Sequence, residues 1–395
     1  MKRQIIFFLS QPIDESNKRR FGYYDLSKYF NFQIWDISSL FFKNNEIFKD
    51  KILNDEKNFF FVKNIFDLLK KAAQIENGFL FSDLTTGKSL MFSLLQLYFK
   101  FIKKGCKFHI SVRNEPDIVF LSRKKKILLL LKTTLPFFFK TLFQFFKNKI
   151  CNLIIPNPSI AFLCGQKDKM RNINKCKLIE TFSFDFATNL STKKENFSEF
   201  KNFFVYIDQM MFCHPDEIRY GSYAPFVNKN SILNNAKKGI FYNELRYFFN
   251  FIINVYKIKI VISVHPKATI KNINFIKSIF HGDSFYIAQN NTSALVKSSL
   301  ATICHHSASI EFAVLNYKPI IFCYSQQFSD SEKKAVLSRS EILSLKAIDI
   351  SKKHFDLSLS FNKIFYDDYI FNYISKFKTN SQKYWDIIIK NLKYS

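Results

Sequence analysis

Val261-Ile262-Ser263-Val264-His265-Pro266-Lys267 is an apolar run that ends in a His-Pro pair. A continuous apolar run bounded by polar residues is the pattern of a parallel strand covered on both faces. Ligands of open parallel sheets sit just beyond the carboxyl ends of the strands, which places His265 where a ligand would be. Around this run strands and helices alternate. Strands are expected at 203–207, 258–264, 285–288, 300–303 and 319–322, and helices at 242–255, 273–280, 292–298 and 307–315. Strands alternating with helices of this length make βαβ units and a parallel sheet. The second half of the chain therefore reads as one Rossmann-like domain.

Working toward the N-terminus, apolar runs at 5–9, 32–37, 79–82, 108–112, 160–163 and 178–180 predict more strands of the same kind, with helical spacing over 89–102. A polar, charged stretch at 189–199 has the look of a linker. At 395 residues the chain is too long for one comfortable core and right for two α/β domains. The expected division is 1–195 and 196–395. A terminal helix at 380–392 is of the kind that often crosses back to the first domain in two-domain folds. The fold class is α/β, two Rossmann-like domains facing a central cleft.

The net charge of +27 admits nucleic acid, acidic lipid headgroups or phosphorylated substrates as partners. No zinc spacing, RNP-like signature or KH loop is present, so no nucleic acid is expected. The 50 phenylalanines against 8 glycines, with abundant lysine, look like codon bias and carry little function. Seven scattered cysteines with no CxxC pair suggest a reduced compartment. Residues 1–9 read as a first strand rather than a signal segment, because Gln11, Asp14 and Glu15 follow directly.

Residues 122–149 stand apart. They hold eight Lys or Arg and no acid, while Leu128, Leu131, Leu135, Phe138, Leu142 and Phe145 recur at helical spacing. Such a basic amphipathic segment suits the interface of an anionic membrane. It does not suit a span, since Lys132 and Lys140 interrupt it and Pro136 would kink a helix. A core helix pair with a solvated basic face is the alternative.

Thr302-Ile303-Cys304-His305-His306-Ser307-Ala308-Ser309 is the second motif, following an apolar strand and opening a helix that stops before Lys318-Pro319. Serine hydroxyls and free N–H groups at a helix start suit a phosphate, and they also suit ordinary N-capping. His265, with Pro266 fixing its turn, can donate a hydrogen bond to a phosphate oxygen.

A strand ending in His-Pro, then a strand, a serine-rich turn and a helix ending in Lys-Pro resemble the C-terminal domain of bacterial surface-polysaccharide glycosyltransferases. Comparable pairs occur in capsule sialyltransferases and polysialyltransferases, in Kdo transferases and in glycerophosphate polymerases. The resemblance covers roughly residues 200–325. It implies a GT-B fold, a cytidine nucleotide on the donor, and a nucleotide site formed by His265, Pro266, Lys267, His306, Ser307, Ser309 and Glu311. Two departures stand out: Ala308 separates the serines that the family pairs, and Glu311 lies eight residues before Pro319 where the family's ribose-binding glutamate lies seven before.

Asp208 and the His214-Pro215-Asp216 turn are further candidates for contacts in the cleft. An inverting transferase needs a group that takes the acceptor proton. In GT-B enzymes it comes from the first domain, so Asp14 and Asp185 are the favoured bases beside Glu15 and Asp83. Gly87-Lys88-Ser89 is no P-loop, because Ser82 stands where its first glycine belongs. No metal and no cofactor are expected. The expected partners are a nucleotide-sugar donor, a glycan or lipid-linked glycan acceptor, and an anionic membrane at the cytoplasmic face. The donor alternatives are UDP- and GDP-sugars, and a non-catalytic membrane-surface assembly factor is the alternative of another class.

Overall fold

The computed structural model describes residues 3–9, 22–37, 40, 58–75, 78–82, 98, 106–112, 146, 160–165, 177–195, 197, 199–200, 202–212, 231–266, 268–376 and 384–393. The chain forms two compact units, the first extending to Phe182 and taking up Phe377–Ser395, the second spanning Ser183–Lys376.

The first unit carries seven parallel strands: β1 (Gln4–Leu9), β2 (Asn31–Asp36), β3 (Phe59–Phe61), β4 (Gly78–Ser82), β5 (Cys106–Val112), β6 (Ile160–Cys164) and β7 (Lys177–Thr181). Their order is β3-β2-β1-β4-β5-β6-β7. The apolar runs explain the strands, since Ile6, Phe8, Trp35 and Leu80 are buried together. Helix α1 (Tyr23–Leu26) precedes β2. Helix α2 (Ile65–Ala73) starts where Asn64 accepts a hydrogen bond from the Asp67 N–H at 2.9 Å, and buries Leu68 and Ala72.

The second unit begins with α3 (Phe184–Ser191) and continues β8 (Phe203–Ile207), α4 (Ser231–Tyr256), β9 (Lys259–Val264), α5 (Ile270–Ile279), β10 (Phe285–Gln289), α6 (Thr292–Ser298), β11 (Ala301–Cys304), α7 (Ile310–Leu315), β12 (Ile320–Tyr324), α8 (Asp330–Ile342), β13 (Ile348–Asp349) and α9 (Lys363–Tyr369). Its six strands are parallel, ordered β10-β9-β8-β11-β12-β13. Phe241, Leu245, Phe248, Phe249 and Ile252 of α4 are buried in the same core as Phe204, Ile260, Ile262 and Ile303. The chain leaves the centre of the sheet toward β10 and returns to build outward from β11. The switch point lies between β8 and β11, and ligands of doubly wound sheets bind at its carboxyl end.

The expected α/β class with Rossmann-like sheets holds, while two expectations are corrected. The units divide after Phe182 rather than at residue 195, because α3 belongs to the second unit. Ser183 caps α3, accepting from Phe186 N–H at 3.1 Å and donating to Glu311 Oε2 at 2.6 Å. Residues 189–195 are docked rather than free as a linker. Lys297 Nζ donates to the Asn189 and Thr192 carbonyls, Asn316 Nδ2 to Asn189 Oδ1 at 2.8 Å, and Ser298 Oγ to the Glu195 carbonyl at 2.7 Å. The terminal helix α10 (Tyr384–Lys393) groups with the first unit. There Trp385 covers Gly22, whose φ is +66° and where a Cβ would stand 2.2 Å from the indole. Only glycine fits both constraints.

Candidate functional site

The site is built from strand ends. Leaving β8, Asp208 donates its N–H to the Ser263 carbonyl at 3.0 Å, so pairing with β9 continues one residue past the strand. Its side chain is 3% exposed. Oδ1 accepts from Met210 N–H at 2.9 Å, and Oδ2 accepts no well-formed hydrogen bond from the described residues. Burial pushes this carboxyl up to about 6 against the opposing pull of the Met210 and His265 N–H groups. The turn beyond is held with Met210 at φ 52° and Phe212 at φ 71°, left-handed conformations uncommon outside glycine.

At the end of β9, His265 is half-buried and its carbonyl accepts from Ala268 N–H at 2.9 Å, closing a turn around the exposed Pro266. Gln289 Nε2, from the end of β10, reaches the Pro266 and Ala268 carbonyls at 3.4 and 3.3 Å. The proline and the crosslink together hold the His265 turn in one shape.

At the end of β11 two adjacent histidines part ways. His305 is fully buried. One ring nitrogen, Nδ1, lies 2.6 Å from the Cys323 carbonyl, and Nε2 lies 2.9 Å from Tyr206 Oη. A carbonyl only accepts, so Nδ1 carries the proton and Nε2 accepts from the tyrosine. Burial lowers its pKa to about 4, and the ring is neutral at physiological pH. His306 donates its backbone N–H to Gln209 Oε1 at 2.8 Å, tying the β11 turn to the β8 turn. Its Nδ1 is buried without a partner, and burial, then the Arg339 charge, then His305 lower its pKa to about 3.

Ser307 accepts on its Oγ from Ser309 N–H at 3.2 Å, and its carbonyl accepts from Arg339 Nη1 at 2.7 Å. The helix that follows is shorter than the sequence suggests, six residues starting at Ile310 with a turn before it, and Ser309 makes no side-chain capping bond. A helix of one and a half turns carries little macrodipole. The positive charge at this turn comes from Arg339 of α8 instead.

The structure thus brings Asp208, His265, His306 and Ser307 to one end of one sheet. Ser309 follows in the same turn. Glu311 is 2% exposed with Oε2 on Ser183, so the described contact of its carboxylate is toward α3. Asp185 is not at a strand end: it lies in the first turn of α3, in the second unit, where a carboxylate favours the helix start. Asp14, His214, Lys267 and the segment 122–149 lie outside the described residues apart from Phe146, which is exposed. Among the described residues no group of three His, Cys, Asp or Glu is arranged to hold a metal, and no helix is long and apolar enough to cross a membrane.

Sequence reasoning missed Gln209, His305 and Arg339. The two uncharged partners carry no signal in their spacing. Arg339 does carry one, as an arginine inside a helix of a chain whose cations are mostly lysine.

No family model matches the chain, and no curated protein matches it. Among solved structures it is similar to a Methanocaldococcus jannaschii UDP-GlcNAc 2-epimerase in complex with UDP-GlcNAc and UDP, at 14% identity over 100% of both chains with a TM-score of 0.48. It is also similar to S. aureus MnaA in a co-structure with UDP, at 11% identity over 93% of this chain and 86% of that one, TM-score 0.46. A third is Acinetobacter baumannii MurG, at 8% identity over 89% and 87%, TM-score 0.42. At these values the assignment of two Rossmann-like units rests on the strand orders and registers of the chain itself.

Proposed function

We propose that the chain is a glycosyltransferase of the GT-B kind that moves a sugar from a nucleotide-activated donor. The donor lies at the carboxyl ends of β8, β9 and β11. The observation that supports this most is the convergence of Asp208, His265, His306 and Ser307 at the switch point of a doubly wound sheet. Such an end takes phosphorylated ligands readily.

In the reaction the bond between the anomeric carbon and the donor phosphate oxygen breaks, and the phosphate keeps the electron pair. The acceptor hydroxyl oxygen bonds to the anomeric carbon and loses its proton to a base. His265 donates a hydrogen bond to the leaving phosphate as its charge grows, the kind of preorganised stabilisation that supplies much of an enzyme's rate. Ser307 and Ser309 contact the same phosphate through hydroxyl and N–H groups, and Asp14 is the base we favour. The donor is a CMP-activated sugar, such as a nonulosonic acid, and the acceptor is a bacterial surface glycan. Residues 122–149 bring the enzyme to the inner face of the cytoplasmic membrane.

Slow donor hydrolysis without acceptor tests this. Purified full-length chain is incubated with CMP-N-acetylneuraminic acid, UDP-GlcNAc and GDP-mannose, and released nucleotide is measured. Release of CMP alone, lost in His265→Ala, supports the full reading. Release of UDP or GDP keeps the transferase and replaces its donor. No release from any of them, with His265→Ala indistinguishable from wild type, points to the non-catalytic assembly factor.

A further inference from the structure

Arg339 is a feature of the second unit that the proposed chemistry has not used. It sits on α8, a helix with no sequence motif, and its side chain is 4% exposed. A guanidinium stays charged in proteins and has five N–H donors in a fixed fork. Here Nη1 donates to the Ser307 carbonyl at 2.7 Å, while Nε is buried without any partner. Among the described residues no carboxylate pairs with it. A buried charge left with one neutral acceptor is costly, and proteins ordinarily pair it. The neighbouring His306 ring also has a buried nitrogen without a partner, Nδ1. Two unsatisfied groups therefore flank the Ser307 turn, one of them a cation with no counter-charge.

We propose that Arg339 receives the phosphate of the nucleotide donor, and that this anion is the missing counter-charge of the buried guanidinium. Resting on the nucleotide-sugar reading above, the proposal adds a residue outside the His-Pro and serine motifs. Arginine suits the role better than lysine because its fork matches two phosphate oxygens at once. The carbonyl of Ser307 holds one arm and aims the others. His306 stays neutral there, since burial lowers its pKa to about 3, which leaves Arg339 as the charge at this turn.

The test is thermal unfolding of the full chain with CMP, UDP and inorganic pyrophosphate, for wild type, Arg339→Met and Arg339→Lys. The expected result is a wild-type midpoint raised by one nucleotide and by pyrophosphate. In Arg339→Met the ligand-free midpoint is unchanged or higher, because an uncompensated buried charge is gone, while affinity falls on the order of 10- to 100-fold, as for loss of a charged hydrogen bond. Arg339→Lys keeps the charge without the fork and binds with an intermediate loss, which also covers the case that the methionine variant does not fold. Arg339→Met that binds like wild type overturns the proposal. So does a fall in its ligand-free midpoint with unchanged affinity, which would make Arg339 a brace for Ser307. If pyrophosphate stabilises through Arg339 and no nucleotide does, the anion site stands and the nucleotide-sugar reading fails. If neither ligand shifts the wild type, both fail.

Discussion

Tyr206, His305 and Cys323 lie just beneath the turn formed by Gln209, His306 and Ser307, and the two layers treat buried polarity in opposite ways. In the lower layer both ring nitrogens of His305 are matched, and Phe241 and Phe328 pack on the ring with centroids 5.6 and 5.0 Å away. One residue later His306 Nδ1 and Arg339 Nε are both buried and unmatched. Native interiors satisfy nearly all buried polar groups, so the two exceptions beside the Ser307 turn, one of them a cation, fit the proposed anionic ligand. The lower layer holds the sheet together. On the proposed reading the upper layer is completed by the phosphate of the donor.

The contrast breaks first at its most stable point. Replacing His305 by Ala removes two buried hydrogen bonds and opens a cavity between aromatic rings, and should cost about 3–4 kcal/mol in urea unfolding while leaving nucleotide affinity of the folded molecule unchanged. A loss of affinity without loss of stability would move His305 into the binding layer.

Acid unfolding sharpens the comparison. His305 has its folded pKa lowered from 6.5 to about 4, so between those values the unfolded chain binds a proton that the folded one does not. Stability is full above pH 6.5 and falls as pH drops toward 4, by on the order of 3 kcal/mol from this group. Asp208 acts in the opposite sense: raised from 3.8 to about 6, it holds a proton in the folded state over that window and offsets part of the loss as pH falls. His305→Phe should flatten the acid slope and Asp208→Asn should steepen it, as read from unfolding midpoints across pH 4–7. An unchanged slope in both variants would contradict these assignments.

Ser183→Ala should cost about 1–3 kcal/mol, because one hydroxyl both caps α3 and satisfies the buried Glu311. The smallest effect belongs to Ser309→Ala. Its hydroxyl makes no capping bond, so stability should stay within about 0.5 kcal/mol while nucleotide binding weakens. A stability loss larger than that would return Ser309 to a capping role.

Much of this was legible in the residues and some was not, for identifiable reasons. Most strands of both sheets could be read because parallel strands covered on both faces are written as apolar runs, as in Phe203–Ile207 and Lys259–Val264, while the short edge strands Phe59–Phe61 and Ile348–Asp349 were missed. His265 could be placed because a strand end followed by proline has a fixed meaning. The helix after Ser307 was overestimated, since Ser307-Ala308-Ser309 suits a turn as well as a helix start. Asp185 looked like a strand-end residue because the cap made by Ser183 has no marker beyond a lone serine. Arg339 stood out only as an arginine among lysines, and its place could not be read: its partner is a backbone carbonyl 32 positions away, and only the crossover of α8 brings them together.

In the proposed function the β8, β9 and β11 ends bind the nucleotide of the donor. Calorimetric titration of CMP, UDP and GDP into wild type and His265→Ala tests it most directly. One nucleotide should bind the wild type, and His265→Ala, still folded, should bind it at least about tenfold more weakly, the loss of one charge-assisted hydrogen bond. Binding of equal strength to both proteins, or none to a folded wild type, would contradict it.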